Sequence, residues 1–563
     1  MKQLIECVPN FSEGRNSEII SQITREVETV DGVKLIDVDP GKATNRTVVT
    51  FVGTPDEVCE AAFRAAKKAA EMIDMRLHKG EHPRFGAIDV CPLVPVANIT
   101  MDEVVVYARK LAKRFADELG IPVYCYEFAA NEEKRRNLAN NRQGEYEGLP
   151  NKIASAEWHP DFGPCEWNES VARTGATAVG ARNFLVAYNV NLNTTSVRRA
   201  NSVAFDVRER GRVKRDGDPI AGKTVKDANG NPVYEAGLLK SVKAIGWFIE
   251  EYGVAQISMN LTDITVTPLH TAFDTVCDRA NARGLRVTGS ELVGVVPLQS
   301  MLDTGKFFLA KQQRSTGLPD AEIIRIAVKS LGLDELTPFD PKKKIIEYLL
   351  EEPDPKSLIK LTCEGFADKT ASEEPAPGGG SVSAYLAALG ASLGTMVANL
   401  SSHKRGWDAR WKEFSDWAER GMALQKQLLR LVDKDTAAFN AIMDAFGLPK
   451  GNDSEKTARS KAIREATINA IEIPFRVMQT AYDCFDLLEQ MAKEGNPNSV
   501  SDAGVGVLCV RSAVMGAYLN VQINAASLKD DPTAKDLVAK GAEIEINTIR
   551  REKEILEVVK GKI

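Results

Sequence analysis

Lys34-Leu35-Ile36-Asp37-Val38-Asp39 and Arg46-Thr47-Val48-Val49-Thr50-Phe51-Val52 are β-branched runs either side of a turn containing Pro40 and Gly41, and they read as two strands. The stretch from Pro55 to Asp74 carries the acidic pair Asp56 and Glu57 in its first turn and Ala, Val and Phe at helical spacing, which predicts a helix packed on that sheet. Outward from this unit, strands are predicted at 86–91, 121–126 and 183–192. A second cycle follows, with helix 238–252, strand 254–261, helix 270–282 and strand 285–293. Such alternation belongs to an α/β layer fold, and its recurrence predicts two α/β sandwich subdomains with a shared cleft, over 1–182 and 183–310.

Residues 206–236 interrupt the second cycle with a polar, charged, turn-rich excursion that ends near the hairpin signal Asn229-Gly230. From 311 to 356 the chain passes through Gln312-Gln313-Arg314, a short amphipathic run and then Pro338, Pro341, Pro353 and Pro355, the pattern of a linker. Beyond Ser357 the apolar positions recur at three and four residues, and breaks fall at Gly378-Gly379-Gly380, Gly447-Leu448-Pro449 and Gly495-Asn496-Pro497. Residues 357–563 are therefore expected to form an all-α bundle. A chain that changes class partway carries two activities, or one activity and an assembly module.

With 563 residues, 44% hydrophobic and 27% charged, the chain has enough apolar side chain for several cores, which excludes wholesale disorder. Lys and Arg number 72 against 78 Asp and Glu, so there is no overall basic field to hold nucleic acid or an anionic membrane, and neither is expected as a partner. The nine cysteines stand singly, without a CxxC pair, and some lie in apolar runs such as Leu508-Cys509-Val510. With no signal-peptide pattern behind Met1-Lys2-Gln3-Leu4-Ile5-Glu6, they predict reduced thiols and a cytoplasmic location. Val382 to Leu400 is uncharged and long enough to span a membrane, but its Ala, Gly and Ser content favours close helix packing in a soluble interior.

Gly217-Asp218-Pro219-Ile220-Ala221-Gly222-Lys223-Thr224 is a complete Walker A pattern. A phosphate-binding loop needs a buried strand before it and a helix after it; here a run of arginines precedes and an Asn-Gly turn follows, so nucleotide binding is the weaker rival reading. His82 lies in Lys79-Gly80-Glu81-His82-Pro83-Arg84, where Pro83 forces extended geometry, and a loop imidazole among such charges can exchange a proton near neutral pH. An ordinary surface histidine fits the same spacing. His78, His159, His270 and His403 form no ligand cluster, so no metal is expected. In the bundle, Asp435 falls within about 60° of the apolar stripe of Leu428, Leu431, Val432, Phe439 and Ile442, whereas Asp433 points elsewhere. An acid in an apolar stripe is paired, capping or functional. Pro377-Gly378-Gly379-Gly380-Ser381 opens the small-residue helix with free N–H groups that suit an anionic or heteroaromatic ligand.

Glu6-Cys7-Val8-Pro9-Asn10-Phe11-Ser12-Glu13-Gly14-Arg15, Asp37-Val38-Asp39, Thr44-Asn45-Arg46-Thr47, Gly80-Glu81-His82-Pro83-Arg84 and Asp89-Val90-Cys91-Pro92 resemble glutamate formiminotransferase. Pro377-Gly378-Gly379-Gly380-Ser381 and Leu431-Val432-Asp433-Lys434-Asp435 resemble formiminotetrahydrofolate cyclodeaminase. In this order the motifs resemble the bifunctional formimidoyltransferase-cyclodeaminase family. The resemblance implies transfer of the formimino group of N-formimino-L-glutamate to N5 of tetrahydrofolate, then cyclisation to 5,10-methenyltetrahydrofolate with loss of ammonia, in histidine breakdown. It implies tetrahydrofolate, or its polyglutamyl form, as co-substrate with no metal or redox cofactor, and a homo-oligomer. It places the transferase histidine on His82, the cyclodeaminase acid on Asp435 and the folate-contacting segment on Gly163 to Gly175, including Pro164. On chemical grounds Asp39 is the candidate to orient His82, and Arg46, Arg84 and Arg182 are candidates for the glutamate carboxylates. A transferase alone, with the helical half serving assembly, is the second rival reading.

Overall fold

A computed structural model describes residues 3–41, 45–79, 84–217, 222–250, 252–351 and 354–563. The chain divides into two compact units, one of Met1–Thr304 with Val328–Glu351 and one of Gly305–Ala327 with Glu352–Ile563.

The first unit begins with β1 (Leu4–Cys7), β2 (Asn10–Phe11), α1 (Ser17–Glu28), β3 (Lys34–Gly41), β4 (Arg46–Gly53), α2 (Pro55–Met72), β5 (Ile88–Ala97), α3 (Met101–Leu119) and β6 (Val123–Glu127). Short helices α4 (Glu133–Arg136), α5 (Leu138–Asn141), α6 (Glu145–Ala154) and α7 (Glu169–Thr174) then lead to β7 (Thr177–Ala181). These strands form one mixed sheet in which β3 pairs β4, β4 pairs β1 and β2, both of those pair β5, and β5, β7 and β6 run parallel. One face carries Ile5, Cys7, Phe51, Cys91 and Leu93 into a core built with α1, α2 and α3. The helices start where the side chains dictate: Asn16 caps α1, Pro55 opens α2, and Thr100 and Glu103 form a capping box on α3.

A second, four-stranded antiparallel sheet is made of β8 (Val186–Leu192), β13 (Val242–Ile249), β14 (Val254–Leu261) and β15 (Val287–Val293), in the order β13-β14-β8-β15. α8 (Val197–Val207) and α9 (Leu269–Asn281) accompany it. The segment expected as helix 238–252 is strand β13. Val242, Ala244 and Gly246 are buried while Lys243, Ile245 and Trp247 are exposed, and this two-residue period overrides the apolar spacing that suggested a helix. The excursion at 206–236 holds four two-residue strands, β9 (Arg212–Val213), β10 (Arg215–Asp216), β11 (Lys223–Thr224) and β12 (Tyr234–Glu235). Lys223 and Thr224 pair with β10 and no helix follows them, so the Walker A pattern lacks the strand–loop–helix frame it needs; Asp218 to Ala221 lie outside the described residues. The stretch 311–356, read as a linker, contains α11 (Asp320–Leu331), α12 (Pro341–Lys344) and α13 (Ile346–Leu349), after α10 (Leu298–Lys311).

The second unit is helical from residue 357 on: α14 (Cys363–Ala371), α15 (Gly379–Ser402), α16 (Trp411–Gly447), α17 (Asp453–Glu494), α18 (Val500–Ala525) and α19 (Pro532–Lys560). The glycine and proline breaks in the sequence fall at the start of α15, the end of α16 and the end of α17. Ala387, Ala391, Leu428, Phe485, Leu488, Val507 and Val514 belong to its core. Gly379–Ser402 and Pro497–Leu528 are long and apolar enough to cross a membrane, but 61% and 50% of their apolar windows are buried inside the protein, as in core helices of a folded bundle.

Gly86 fixes the return of the chain onto the first sheet. A Cβ there would lie 2.8 Å from the carbonyl carbon of Ala176 and 3.0 Å from its nitrogen, both backbone atoms that cannot yield independently. Gly86→Ala is expected to destabilise the first unit by about 3 kcal/mol, read as a lower urea midpoint for that unit's transition.

Candidate active sites

The face of the seven-stranded sheet away from α1, α2 and α3 packs Val90, Tyr124, Tyr126 and Ala178 into a smaller apolar cluster with Leu149 and Ile153, and it also carries buried polar and charged side chains. Asp89, fully buried on β5, accepts from Arg142 Nη2 at 2.5 Å and Nε at 3.2 Å, and from the Phe85 N–H at 3.2 Å. Burial pushes its carboxyl up, against the pull of Arg142 and Arg46. Arg46, at the start of β4, donates to Asn10 Oδ1 from Nε at 2.9 Å and Nη2 at 2.5 Å. Glu6 on β1 is buried, and desolvation raises it to about 7 although Arg182 pulls it down. Burial raises the Glu127 carboxyl too, against the pull of the same Arg182, which donates to the Asn183 carbonyl at 3.1 Å.

A second set of contacts holds the chain on both sides of the histidine motif. Asn45, in left-handed backbone geometry at φ 49°, accepts from the Gly14 N–H at 3.0 Å and donates to the Lys79 carbonyl at 3.0 Å. His78 Nε2 lies 2.8 Å from the Asn45 carbonyl, and Arg84 Nε donates to His78 Nδ1 at 3.4 Å, so the contacts select the neutral tautomer with its proton on Nε2. Burial lowers the imidazole pKa in the same sense. Arg84 also donates to Glu147 at 2.8 and 3.0 Å and to Glu145 at 3.1 Å, which fills its fork. Lys79, Arg84, Gly144, Glu145 and Glu147 line an open cavity of about 570 Å³. His82 lies outside the described residues. Asp39 is exposed on edge strand β3, opposite Val48.

Gly163 and Gly175 serve as backbone joints. Gly163 has φ +92°, and a Cβ on it would lie 2.5 Å from the Ile121 carbonyl oxygen; on Gly175, at φ +68°, it would lie 2.6 Å from Gly86 Cα. They bring 163–175, with half-buried Pro164, back against the sheet. This segment presents Trp167, 37% exposed, against Tyr146 with ring centroids 5.8 Å apart, and the Tyr146 N–H donates to the Arg84 carbonyl at 3.0 Å. The aromatic pair therefore adjoins the cavity.

In the helical unit the two sequence motifs meet. A Cβ on Gly380 would sit 2.5 Å from the Asp435 carboxyl carbon, so only the missing side chain lets the acid of α16 reach the first turn of α15. Ser381 Oγ lies 3.2 Å from Asp435 Oδ2, 3.1 Å from Thr436 Oγ1 and 2.9 Å from the Val432 carbonyl. Burial raises the Asp435 pKa, opposed by hydrogen bonds from the Ser381 side chain and backbone. Gly378 is the N-cap of α15 and Gly379 its first residue, next to Asn520 of α18. Asp433 instead accepts from the Leu358 N–H at 2.7 Å and from Ser357 Oγ at 2.8 Å, and ties down the segment that enters the bundle. Among the described residues no three His, Cys, Asp or Glu side chains gather as a metal site.

Sequence reasoning gave no individual role to Glu6, Asn10, Asn45, His78, Asp89, Arg142 or Trp167, although Glu6, Asn10, Asn45 and Asp89 stand within the motifs quoted for the resemblance. Asp89 and Glu6 carry a usable signal, an acid inside an apolar strand, the strand form of the pattern that exposes Asp435.

Family models match along the chain: the formiminotransferase domain, N-terminal subdomain, over residues 4–182, the formiminotransferase domain over 187–351, and formiminotransferase-cyclodeaminase over 362–543. Formimidoyltransferase-cyclodeaminase of Mus musculus is 42% identical over 532 residues, 94% of each chain. Glutamate formimidoyltransferase of Thermoplasma acidophilum is 41% identical over 308 residues, 54% of this chain and 92% of that one. Methenyltetrahydrofolate cyclohydrolase of Methylorubrum extorquens is 36% identical over 202 residues, 36% of this chain and 97% of that one. With both halves matched in order and near-complete coverage by the mouse relative, the chain belongs to the formimidoyltransferase-cyclodeaminase family.

Proposed function

We propose that His82 serves the first and Asp435 the second of two consecutive reactions on one folate. In the first, the formimino group of N-formimino-L-glutamate passes to N5 of tetrahydrofolate. N5 attacks the amidine carbon, His82 takes the N5 proton and returns it to the departing glutamate nitrogen, so one C–N bond forms as the other breaks. Arg182, beside Glu6 and Glu127, and Arg46, beside Asp89, offer positive charge for the glutamate carboxylates. Arg84 keeps its fork on Glu145 and Glu147 and acts by holding the cavity wall. Trp167 and Tyr146, tilted against one another, supply aromatic surface for the pterin. Asp39 orients His82 through the other ring nitrogen.

In the second reaction N10 attacks the same carbon and ammonia leaves, giving 5,10-methenyltetrahydrofolate. Asp435 takes the N10 proton and passes it to the leaving nitrogen, while the Gly378-Gly379-Gly380-Ser381 turn holds folate at the head of α15. The observation that carries this reading is the half-buried Asp435 carboxyl set against Gly380 and Ser381. Unlike a module that only assembles, such a site keeps a partly desolvated acid at the N-terminal turn of a helix.

The decisive assay supplies formiminoglutamate and tetrahydrofolate to the purified protein and follows methenyl product. His82→Ala is expected to lose at least about a hundredfold of the flux from formiminoglutamate while still cyclising 5-formiminotetrahydrofolate. Asp435→Asn is expected to do the reverse and accumulate that intermediate. Undiminished cyclisation by Asp435→Asn would leave the bundle as an assembly module.

The pH dependence of stability gives an independent reading. Because burial raises the native Asp435 pKa above the unfolded value of about 3.9, the folded state holds this proton more tightly, and its contribution is lost as pH rises through the native pKa. Asp435→Asn has no charge to bury. Its stability advantage over wild type is expected to be absent at low pH and to grow to about 1.4 kcal/mol for each unit by which the native pKa exceeds the ordinary one, as measured by denaturation of the helical unit.

A homo-oligomer fits the exposed apolar stripe of Val382, Leu389, Met396 and Leu400 along α15. Leu389→Glu with Met396→Glu is expected to reduce the mass found by light scattering; an unchanged mass would remove this stripe from the interface.

A further inference from the structure

The packing of α18 on α15 brings to the head of α15 a polar side chain that the two reactions above do not use. Small residues set the register. A Cβ on Gly390 would lie 2.7 Å from Val510 Cγ2, one on Gly516 would lie 2.6 Å from Ser383 Oγ, and one on Gly379 would lie 3.1 Å from Asn520 Nδ2. Positions fall along α15 as they rise along α18, so the helices run antiparallel and each close approach fixes the next. The last of them sets Asn520 against the first residue of α15.

The amide is oriented as well as placed. Its Nδ2 donates to the Gly516 carbonyl at 2.8 Å, one turn back on α18, and the reversed amide would set two oxygens against each other. From the point that a Gly379 Cβ would occupy, Nδ2 at 3.1 Å and Oδ1 at 3.7 Å are both nearer than Cγ at 3.9 Å, so the polar end of the side chain faces the first turn. Among the described residues Oδ1 accepts no hydrogen bond. On the next residue, Gly380, the space of the missing side chain is taken by Asp435, whose carboxyl carbon would be 2.5 Å from a Cβ there. Successive Cα atoms are about 3.8 Å apart, so an acid from α16 and an amide from α18 flank one short stretch of glycine backbone. Both side chains are half-buried, within reach of a ligand.

We infer that Asn520 makes the cyclisation specific for a nitrogen-bearing one-carbon unit: its Oδ1 accepts an N–H of the formimino group and holds that nitrogen toward Asp435. The inference rests on the reading of Asp435 as the acid that protonates the departing nitrogen. The bonds are those already given: N10 joins the carbon, the carbon releases ammonia, and the N10 proton leaves with it by way of Asp435. Asn520 holds the leaving group and transfers no proton. A formyl group presents an oxygen in the same place, with lone pairs and no hydrogen, and Oδ1 repels it. The Gly516 carbonyl keeps the amide from turning an N–H to that oxygen. A site built to accept an N–H rejects the analogue that lacks one.

The test uses the purified full-length protein with 5-formiminotetrahydrofolate as substrate and 5-formyltetrahydrofolate as competitive inhibitor of its cyclisation, so both constants report on the same site. Asn520→Ala puts a strong helix former in mid-helix, and circular dichroism checks that it folds. It is expected to lose at least about tenfold in kcat/KM for the formimino substrate, while the inhibition constant of the formyl analogue stays within about twofold or falls. Asn520→Asp keeps an acceptor but cannot donate to Gly516, and it is expected to retain the preference; a merely structural amide would make it fail like Asn520→Ala. Should Asn520→Ala not fold, Asn520→Leu, of nearly the same size and without an acceptor, takes its place with the same outcome expected. Equal losses on both ligands, undiminished cyclisation by Asn520→Ala, or loss of the preference in Asn520→Asp as well would overturn the inference. Wild type and Asp435→Asn run in the same assay, so cyclisation that needs Asp435 but not Asn520 sinks this inference and leaves the reading of Asp435 standing.

Discussion

Removing a carboxylate from water carries a penalty of several kcal/mol unless hydrogen bonds or neighbouring charge offset it, and the helical unit is arranged round one such group. Asp435 lies beneath the first turn of α15, reached because Gly380 has no side chain, and Ser381 donates to it while also touching Val432 and Thr436. The small residues that make α15 resemble a membrane span have another use here: they let neighbouring helices come close enough to draw an acid partly out of solvent. Burial and chemistry are therefore set by one choice of residue size.

The first unit solves a related problem with charge instead of space. Its sheet is apolar toward α1, α2 and α3, and on the other side it buries Asp89 against Arg142 and leaves Glu6 within reach of Arg182. Asn45 binds two loops at once, Gly14 on one and Lys79 on the other. A short polar side chain in left-handed geometry thus aligns the two ends of a site that the strands alone would leave apart.

Much of this was legible before any coordinates. The strands at 34–39 and 46–52 followed from β-branched runs, the bundle from a change of period at 357, and Asp435 from its angular place on a helix. What failed did so for identifiable reasons. In 238–252 Gly246-Trp247-Phe248 supplies apolar residues that satisfy either period, and only the burial of Val242, Ala244 and Gly246 against exposed Lys243, Ile245 and Trp247 decides between them. Asn45 and Arg142 escaped because their importance lies in partners far away in sequence, Lys79 and Asp89. A helical stripe declares its intruding acid through spacing, whereas a strand's polar face is understood only once its neighbours are known.

Glu6 leaves a thermodynamic signature on whatever Arg182 encounters. Its carboxyl titrates near neutrality with Arg182 as the favourable charge that restrains it. An anion that engages this guanidinium screens it from Glu6, and the carboxyl then draws a proton from solvent. Association is thereby linked to proton uptake, and its heat follows the ionisation enthalpy of the buffer as well as the contacts formed.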